Sequence, residues 1–371
     1  MKDKQDIIIV STNDWNGFWF QRQEFATRFA AMGHRVFFIN RIPQRTPMPG
    51  RLIRWIFSNR QSRKIINPVP EGVMVLSPFI LPPYKRLRFI NRYLWKRLWK
   101  QVPEKDRPVS PVLITYQPTY NVQDLSDCVG ASRLVYINTH VYDEDPSCPK
   151  DLLVSEAQVV SKADVLMADS FYNVKRLTKY VPGAKVHRAM PGVDVERFFS
   201  AYRGDEVEKS ETLLFFGDIG SYLDLEIYNF LAEKYKVVFV GIVNPSVSGD
   251  ISNRIEVMPP VPSPELPEVL RRADVLTIFY KDSDYVKGIL PAKFFECLAT
   301  GKPLFVSGLP ETKIYSNVIY YIENGADEVE SLMSNLAELE SLPRKEARRK
   351  VALEADWGNR YNRFYERVFG L

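Results

Sequence analysis

Short apolar runs, each followed by a polar loop and a helical segment, recur along the chain and constrain its fold most. Ile7–Ser11 is predicted to be a buried parallel strand, Gln23–Met32 a helix and Val36–Ile39 the next strand. A second series of this kind begins at Leu213–Phe216. Parallel strands joined by helices form sheets that bind ligands at the carboxyl ends of their strands. The pattern therefore predicts two α/β domains with binding sites at the strand ends.

Length and composition are those of a soluble globular protein with two domains of ordinary size. The chain has 371 residues, of which 45% are hydrophobic and 26% charged. Cys128, Cys148 and Cys297 lack metal or redox spacing, which indicates a reducing compartment. Neither a signal peptide nor an apolar run of about 18 residues, the length of a membrane span, is visible. These features predict a cytoplasmic protein.

Charge is distributed unevenly between the two halves of the chain. Residues 1–200 hold 30 Lys and Arg against 18 Asp and Glu, a balance of +12. Residues 201–371 hold 20 against 27, a balance of −7. Between Arg41 and Lys100 there are 14 basic residues and a single acid, Glu71, with aromatic residues interleaved. We therefore expect the first half to face an anionic partner.

The most basic part of this window, Tyr84–Val102, has four apolar residues at helical spacing and basic residues around the rest of the helical wheel. Leu87, Ile90, Leu94 and Leu98 form that stripe. Three interpretations are open: an interfacial membrane helix, a core-packed helix with a solvated basic face, and a surface for single-stranded nucleic acid. Because no RNA- or DNA-binding motif accompanies the charge, no nucleic-acid partner is expected. The partner that we expect is an anionic membrane surface.

Residues Asp284–Pro303 carry the strongest candidate binding site. A helix is predicted in this stretch, and Lys293 and Glu296, three positions apart, share one face near its start. The helix N-terminus, the backbone around Gly288 and the second cation Lys287 can bind a diphosphate. The carboxylate of Glu296 can accept hydrogen bonds from a ribose diol. A plain surface ion pair between Lys293 and Glu296 is the alternative.

Three further strand ends carry candidate residues. Gly217 and Gly220 follow the first strand of the second series and allow a phosphate to approach the backbone closely, although a tight turn also explains them. His140 follows the strand Leu134–Ile137, at a position where active sites gather, although a single histidine is more often structural. The loop after the first strand offers polar residues and a glycine, namely Asp14, Asn16 and Gly17.

The motif Pro-x-Lys-x-x-Glu-x-x-Ala-x-Gly-Lys-Pro at 291–303, followed by an apolar strand, resembles the donor-sugar motif of retaining GT-B glycosyltransferases of the family-four, group 1 type. Pro-Gly-Val-Asp-x-x-x-Phe at 191–198 resembles their inter-domain signature. The fuller motif has a first glutamate eight positions before the second, and here that position is Gly288. The shorter form, with a basic residue such as Lys287 before the proline, is similar to a bacterial cell-surface-polysaccharide branch.

The resemblance implies a fold and an activity. The fold is two Rossmann-like, doubly wound α/β domains facing across a cleft: an acceptor domain at 1–200, a donor domain at 201–355, and a helix at 356–371 packing back on the first domain. The activity is transfer of a sugar from a nucleotide-diphosphate sugar, such as a UDP-sugar, to a glycan or lipid-linked acceptor at the inner face of the membrane. The alternatives are a non-catalytic GT-B scaffold or regulatory subunit, and a sugar-nucleotide epimerase.

The resemblance also implies roles for the candidate residues. The nucleotide-sugar donor is expected to be bound by Gly217, Gly220, Lys287, Gly288, Lys293 and Glu296. Within that set, Glu296 holds the ribose and the two lysines neutralise the diphosphate. His140 and Asp14 are the candidate catalytic residues, and Asn16 and Gly17 belong to the loop over the cleft. No metal and no cofactor are expected, because lysines and helix dipoles stabilise the leaving diphosphate in this family.

Overall fold

A computed structural model of the chain describes residues 4–17, 19–44, 67–145, 148–202 and 211–370. It divides the chain into two compact units. Unit 1 comprises the described residues up to 189 together with residues 363–370, and unit 2 comprises residues 190–362. The basic window expected at about 41–107 lies partly outside the described residues, as does most of the predicted linker at 202–212.

Unit 1 is built on a parallel sheet. Its strands are β1 (Asp6–Val10), β2 (Arg35–Ile39), β3 (Val73–Leu76), β4 (Val112–Thr115), β5 (Arg133–Asn138), β6 (Val165–Ala168) and β7 (Val186–Arg188). They lie in the order β3-β2-β1-β4-β5-β6-β7, and every neighbouring pair is parallel. The strands β1 and β4 are buried along their whole length, as apolar runs in a doubly covered parallel sheet must be.

The helices described for unit 1 connect these strands. They are α1 (Gln21–Ala31), α2 (Arg88–Gln101), α3 (Tyr120–Val129), α4 (Lys150–Lys162) and α5 (Phe171–Thr178), with short 3₁₀ turns at Lys85–Leu87 and Glu104–Asp106. Ser170 caps α5, because its hydroxyl oxygen accepts a hydrogen bond from the N–H of Asn173 at 3.2 Å.

Unit 2 repeats the same plan. Its strands are β8 (Thr212–Phe216), β9 (Lys236–Val240), β10 (Glu256–Met258), β11 (Val275–Phe279), β12 (Leu304–Ser307) and β13 (Tyr320–Tyr321). They are parallel and lie in the order β10-β9-β8-β11-β12-β13. Its helices are α6 (Val195–Phe199), α7 (Leu225–Leu231), α8 (Leu266–Arg271), α9 (Asp284–Lys287), α10 (Ala292–Ala299), α11 (Ala326–Ser334), α12 (Leu336–Leu339) and α13 (Leu342–Glu354). Further 3₁₀ turns lie at Ser248–Asp250 and Pro310–Tyr315.

The last helix, α14 (Trp357–Phe369), begins in unit 2 and continues into unit 1. In unit 1 the ring of Phe364 stacks on Phe25 with 4.5 Å between centroids. The hydroxyl of Tyr365 lies 3.2 Å from Nε2 of His34, which is buried. The part of α14 from residue 363 onward therefore belongs to unit 1.

The segment that resembles an inter-domain signature opens unit 2. Asp194 caps α6 by accepting a hydrogen bond from the N–H of Arg197 at 3.1 Å. The backbone of Val193 pairs with Ala355 and Trp357 at 3.0 and 3.1 Å. A side chain at Gly192 would overlap the Trp357 indole, so this close approach requires glycine.

The helix α2 directs its tryptophans, rather than the predicted leucine stripe, into the core of unit 1. Trp95 and Trp99 are buried, and the indole N–H of Trp95 donates to the Asn121 carbonyl at 3.0 Å. The side-chain amide of Asn91, also buried, donates to the Asn121 side chain at 2.7 Å. The predicted stripe is only half buried, at Leu87, Ile90, Leu94 and Leu98. Leu94 and Leu98 thus pack at the margin of the core, and α2 contacts α3 mainly through polar and aromatic side chains.

The basic residues of α2 fall into two groups. Arg88 and Arg92 both bind Asp124 on α3, at 2.7 and 2.8 Å, and the Asp124 carboxylate is buried. The second group is exposed, together with two aromatic residues and with Lys85 and Arg86 of the preceding 3₁₀ turn: Phe89, Tyr93, Lys96, Arg97 and Lys100. Among the described residues, no helix is long and apolar enough to cross a membrane.

The strand orders place the binding sites. In unit 1 the chain reverses its direction across the sheet between β1 and β4, and in unit 2 between β8 and β11. Doubly wound sheets bind ligands at the carboxyl ends of the strands on either side of such a switch point. Ser11 and Tyr116 begin the loops at the switch point of unit 1, and Gly217 and Tyr280 begin those of unit 2.

Candidate functional site

Glycines line the carboxyl edge of the sheet in unit 2. Gly217 follows β8 with φ of +121°, and a side chain there would overlap the Lys293 ammonium. Gly241 follows β9, and a Cβ there would overlap the Gly217 carbonyl oxygen. Gly308 follows β12 with φ of +70°, in the same relation to the Tyr280 carbonyl. At each of these positions glycine lets another part of unit 2 approach the backbone closely: the Lys293 ammonium at Gly217, and neighbouring carbonyl groups at Gly241 and Gly308.

The helix α10 carries the predicted lysine and glutamate to this edge. Pro291 is its N-cap residue and has extended backbone, so the helix begins at Ala292. Phe294, Phe295 and Leu298 are buried in the core of unit 2 and fix the rotation of the helix. The N–H of Phe294 in the first turn donates to the Pro291 carbonyl at 3.0 Å, which leaves the N–H groups of Ala292 and Lys293 for an anion.

Lys293 is the cation of this edge. Its Nζ lies 4.1 Å from the centroid of the Phe215 ring, beside the α-carbon of Gly217. Burial lowers the pKa of Lys293 to about 8, which Cys297, Glu296 and Asp218 only partly oppose. Within the described residues Lys293 forms no ion pair with Glu296, so the alternative of a plain ion pair is wrong.

Glu296 is the carboxylate of the edge, about one turn further along α10. Burial raises its pKa to about 7, against the opposing effect of Lys293 and Arg197. No hydrogen bond to its carboxylate is found among the described residues. A half-buried acid and a half-buried amine with pKa values shifted toward each other are typical of a binding or catalytic site.

The other residues predicted to bind the donor have local contacts or backbone conformations that do not by themselves indicate a binding site. Lys287 ends the four-residue helix α9, and its ammonium is bound to Asp284 at 2.8 Å. Gly288 follows with φ of −95°, a conformation open to any residue. Gly220 packs against the ring of Tyr222, 2.9 Å from where its Cβ would stand. For Gly220, this packing in a tight turn is the structural reason for a glycine.

Asp218 and Asp224 lie in the loop between β8 and α7. The carboxylate of Asp224 caps α7 through the N–H of Ile227 at 3.4 Å, and the Asp218 carbonyl accepts a hydrogen bond from the Tyr222 hydroxyl. Neither acid lies within ion-pair distance of Lys293. A diphosphate at this edge would therefore rely on Lys293 and on backbone N–H groups.

In unit 1 the loop after β1 is a tight turn. The carbonyl of Asp14 accepts hydrogen bonds from the N–H of Gly17 at 2.9 Å and from the Gln23 side chain at 3.2 Å. The side chain of Asn16 accepts one from the N–H of Asn67 at 3.1 Å. The turn thus holds the predicted loop residues at the switch point of unit 1. The neighbouring Phe18 lies outside the described residues.

His140 stands two residues beyond β5 and is partly exposed. Its Nε2 lies 2.9 Å from Oδ2 of Asp145, and its ring packs on Tyr142 with 4.7 Å between centroids. The backbone N–H of His140 donates to the side-chain oxygen of Asn138 at 3.4 Å. An imidazole oriented by a carboxylate at a strand end has the arrangement of a positioned polar or basic catalyst.

A buried charged network supports the strand end that carries His140. Glu156 and Arg176 form a bidentate pair at 2.6 and 2.7 Å, and the hydroxyl of Tyr136 donates to the same carboxylate at 2.7 Å. The amide of Asn138 donates to Glu156 at 3.0 Å. Each of these side chains has a hydrogen-bond partner within the network. The network therefore fixes the strand end without leaving a buried polar side chain unpaired.

Sequence reasoning missed Arg22, which lies in the same part of unit 1. Its Nη2 donates to Thr139 Oγ1 at 3.2 Å, one residue before His140. The signal available in the sequence was its position, because a cation in the first turn of a helix opposes the helix dipole.

Comparison with known proteins gives one curated relative. No protein-family model matches the chain. A Bacillus subtilis (strain 168) protein, which carries the provisional name teichuronic acid biosynthesis glycosyltransferase TuaH, is 28% identical over 223 residues. The match covers 55% of this chain and 56% of that protein, so the chain spans about half the length of the curated relative that it matches.

Solved structures match over almost the whole chain. A glycosyltransferase from Rickettsia africae ESF-5 superposes with a TM-score of 0.69 at 14% identity, covering 99% of each chain. HepE of Anabaena in complex with UDP gives 0.66 at 10% identity, covering 99% of this chain and 100% of that one. WaaG, a glycosyltransferase of lipopolysaccharide biosynthesis, gives 0.60 at 14%, covering 98% and 100%. The chain therefore has the GT-B fold, and the fold predicted from its motifs is confirmed.

Proposed function

We propose that this chain, with its GT-B fold, is a glycosyltransferase that moves a sugar from a UDP-sugar to a membrane-associated glycan or lipid-linked acceptor in cell-surface polysaccharide biosynthesis. The observation that carries the proposal is the edge of unit 2 at its switch point. There, Lys293 lies against Gly217 without an ion pair, and Glu296 follows one turn along the same helix. The name of the Bacillus relative supports the polysaccharide assignment.

The donor nucleotide would occupy that edge. Glu296 would accept hydrogen bonds from the ribose hydroxyls, and Lys293 with the first-turn N–H groups of α10 would bind the diphosphate. Gly217 donates its own N–H to Val240 at 2.9 Å, so it provides close approach rather than a donor. Lys287 would have to leave Asp284 to join the phosphates. UDP bound in the Anabaena structure supports a uridine nucleotide.

Transfer would proceed without a metal ion. A lysine ammonium and helix N–H groups supply the positive potential that the leaving diphosphate needs, which is the role that a divalent cation plays elsewhere. His140, held by Asp145, would lie beside the reacting sugar. Asp14, in the turn after β1, is the second candidate catalytic residue. A membrane-bound acceptor would be reached through the exposed basic and aromatic face of α2.

A nucleotide panel tests the donor assignment. We expect UDP, and not uridine, to raise the melting temperature, and sugar transfer from a radiolabelled UDP-sugar to membrane extract to survive EDTA. Glu296→Gln should weaken UDP binding by a few-fold to roughly a hundredfold, because it weakens a charge-assisted hydrogen bond worth about 1.5–3 kcal/mol.

Glu256→Gln, at an exposed ion pair with Lys236 in unit 2, is the matched control and should bind UDP normally. A strict requirement for a divalent cation would contradict the metal-free mechanism. UDP binding without transfer to any membrane fraction would favour the non-catalytic scaffold instead.

A further inference from the structure

A cation without an acidic partner lies at the switch point of unit 1. Arg22 stands in the first turn of α1, and its guanidinium packs over the Tyr116 ring, with Cζ 4.4 Å from the centroid. Nη2 donates to Thr139, whereas Nε is buried and has no hydrogen-bond partner. Among the described residues, no Asp or Glu lies within ion-pair distance of Arg22.

The desolvation of this charge is costly to the fold, and the contacts with Thr139 and Tyr116 offset it only in part. Burial lowers the pKa of Arg22 from its ordinary value, and Tyr116, Tyr142 and Asp169 only partly oppose that effect. The dipole of α1 disfavours a cation in its first turn as well. A neutral side chain of similar size would be tolerated better, since an unpaired charge is costly to bury. A guanidinium at this position therefore points to an anion from outside the chain.

Two more buried polar groups beside Tyr116 lack partners. The side-chain amide of Gln117 donates to the Ser11 carbonyl across the switch point, and its Oε1 has no hydrogen bond. The hydroxyl of Thr119 has none either, and both residues are fully buried. Unpartnered buried groups are rare and call for an explanation. Because both side chains are shielded from solvent, they belong to the packing of the switch point, and Arg22 alone remains as the group that an anion can contact.

We propose that Arg22 receives the carboxylate or phosphate group of an acidic acceptor sugar. The planar guanidinium matches either anion through paired N–H groups. Thr139, which holds Arg22, directly precedes His140, so the anion site adjoins the candidate catalytic histidine. The inference rests on the proposed glycosyltransferase function and names its acceptor class.

Three probes with one aglycone test the proposal. We would titrate the full-length protein with octyl β-glucuronide, octyl β-glucoside 6-phosphate and neutral octyl β-glucoside, below their micelle concentrations, by calorimetry and saturation-transfer NMR. At least one acidic glycoside should bind roughly tenfold to a hundredfold more tightly than the neutral one, the range for hydrogen bonds to a charged group. Comparing the two acidic probes distinguishes a uronic acid from a sugar phosphate.

Variants separate Arg22 from the general basicity of unit 1. Arg22→Gln should abolish the preference for acidic glycosides without lowering the melting temperature, because a buried charge is removed. Arg22→Lys, which keeps the charge but not the planar fork, should restore part of it. Arg28→Gln is the control on the same helix: Arg28 is bound to Glu24 at 2.7 Å, and its loss should leave the preference intact.

Each outcome decides the proposal. Equal affinity of the wild type for acidic and neutral glycosides, binding of none of the three, or a preference that survives Arg22→Gln would overturn it. If Arg22→Gln unfolds the protein, the wild-type discrimination alone decides. UDP binding measured in parallel tests the other half of the reaction: UDP without acidic preference would leave the transferase standing and remove only this inference.

Discussion

The pKa values of Lys293 and Glu296 on α10 define the pH range in which the proposed donor site has the charges needed to bind a nucleotide. In the ligand-free protein Lys293 loses its proton near pH 8 and Glu296 loses its proton near pH 7. Between these values the lysine is mostly cationic and the glutamate mostly anionic, which are the states that a diphosphate and a ribose need. A diphosphate on Lys293 would raise the pKa of that lysine, because an anion favours its charged form.

Lys293 should therefore take up a proton when UDP binds at alkaline pH. At pH 8 about half of the free protein has a neutral Lys293, so we expect uptake of roughly half a proton per UDP, and an affinity that falls as pH rises further. Calorimetry in buffers of different ionisation enthalpy measures the uptake. Lys293→Met should abolish it and weaken UDP far more than uridine, whereas Lys236→Met serves as the exposed control. Equal losses for UDP and uridine would remove the diphosphate from this lysine.

His140 can be separated from a structural histidine by turnover. His140→Ala should lower the transfer rate at least tenfold and leave UDP affinity nearly unchanged, because the residue lies in unit 1 and the nucleotide edge in unit 2. His187→Ala, in the short strand β7, should not lower the rate. A fall in melting temperature with normal turnover per folded molecule would make His140 a structural residue held by Asp145.

At the scale of elements, α2 packs into the core of unit 1 with one face and exposes the opposite face to solvent. Its inner face packs Trp95 and Trp99 into unit 1, and Arg88 with Arg92 neutralises the buried Asp124. Its outer face presents Phe89 and Tyr93, 72% and 63% exposed, among basic residues. Exposed aromatic rings flanked by lysine and arginine suit the interface of an anionic bilayer.

Replacing Lys96, Arg97 and Lys100 with glutamate should therefore abolish binding to anionic liposomes. Each basic residue near such a surface contributes on the order of 1 kcal/mol, screened by salt, so wild-type binding should be released by high salt. The matched control reverses three exposed lysines elsewhere in unit 1, Lys162, Lys175 and Lys179. Arg88 is left unchanged, since its loss would strand the Asp124 carboxylate in the core. Wild-type protein that ignores anionic liposomes at low salt would leave α2 a purely structural helix.

At the scale of the whole molecule, most of the fold could be predicted from the sequence. Runs such as Val112–Ile114 are apolar throughout, as is typical of strands buried on both faces of a parallel sheet. The helix α3 was missed because its buried positions include Asn121, Gln123 and Asp124, which hide the apolar periodicity. The core face of α2 was hard to read for the same reason: it contains an asparagine and two indoles, and Asn91 and Trp95 find their polar partners only in three dimensions.

The candidate site was predictable only where local geometry suffices. Lys293 and Glu296 share a face because of helical spacing, and Gly217 stands at a strand end, so the sequence could place them together. The need for glycine at Gly241 depends on a neighbouring strand, and that at Gly192 on an indole far along the chain. Whether Arg22 has an acidic partner depends on which Asp and Glu side chains lie near it in the folded unit. The spacing of residues along the sequence does not give those distances.

The return of α14 to unit 1 has a consequence for how the chain is made. Phe29 is completely shielded from water, and its ring lies between 6.0 and 6.2 Å from those of Phe364, Tyr365 and Phe369. Those residues leave the ribosome after all of unit 2 has been synthesised. Unit 1 is therefore synthesised first but completes its packing only after unit 2 has been made. Until then Phe29 lacks the aromatic side chains that cover it, and a chaperone can recognise this exposed patch.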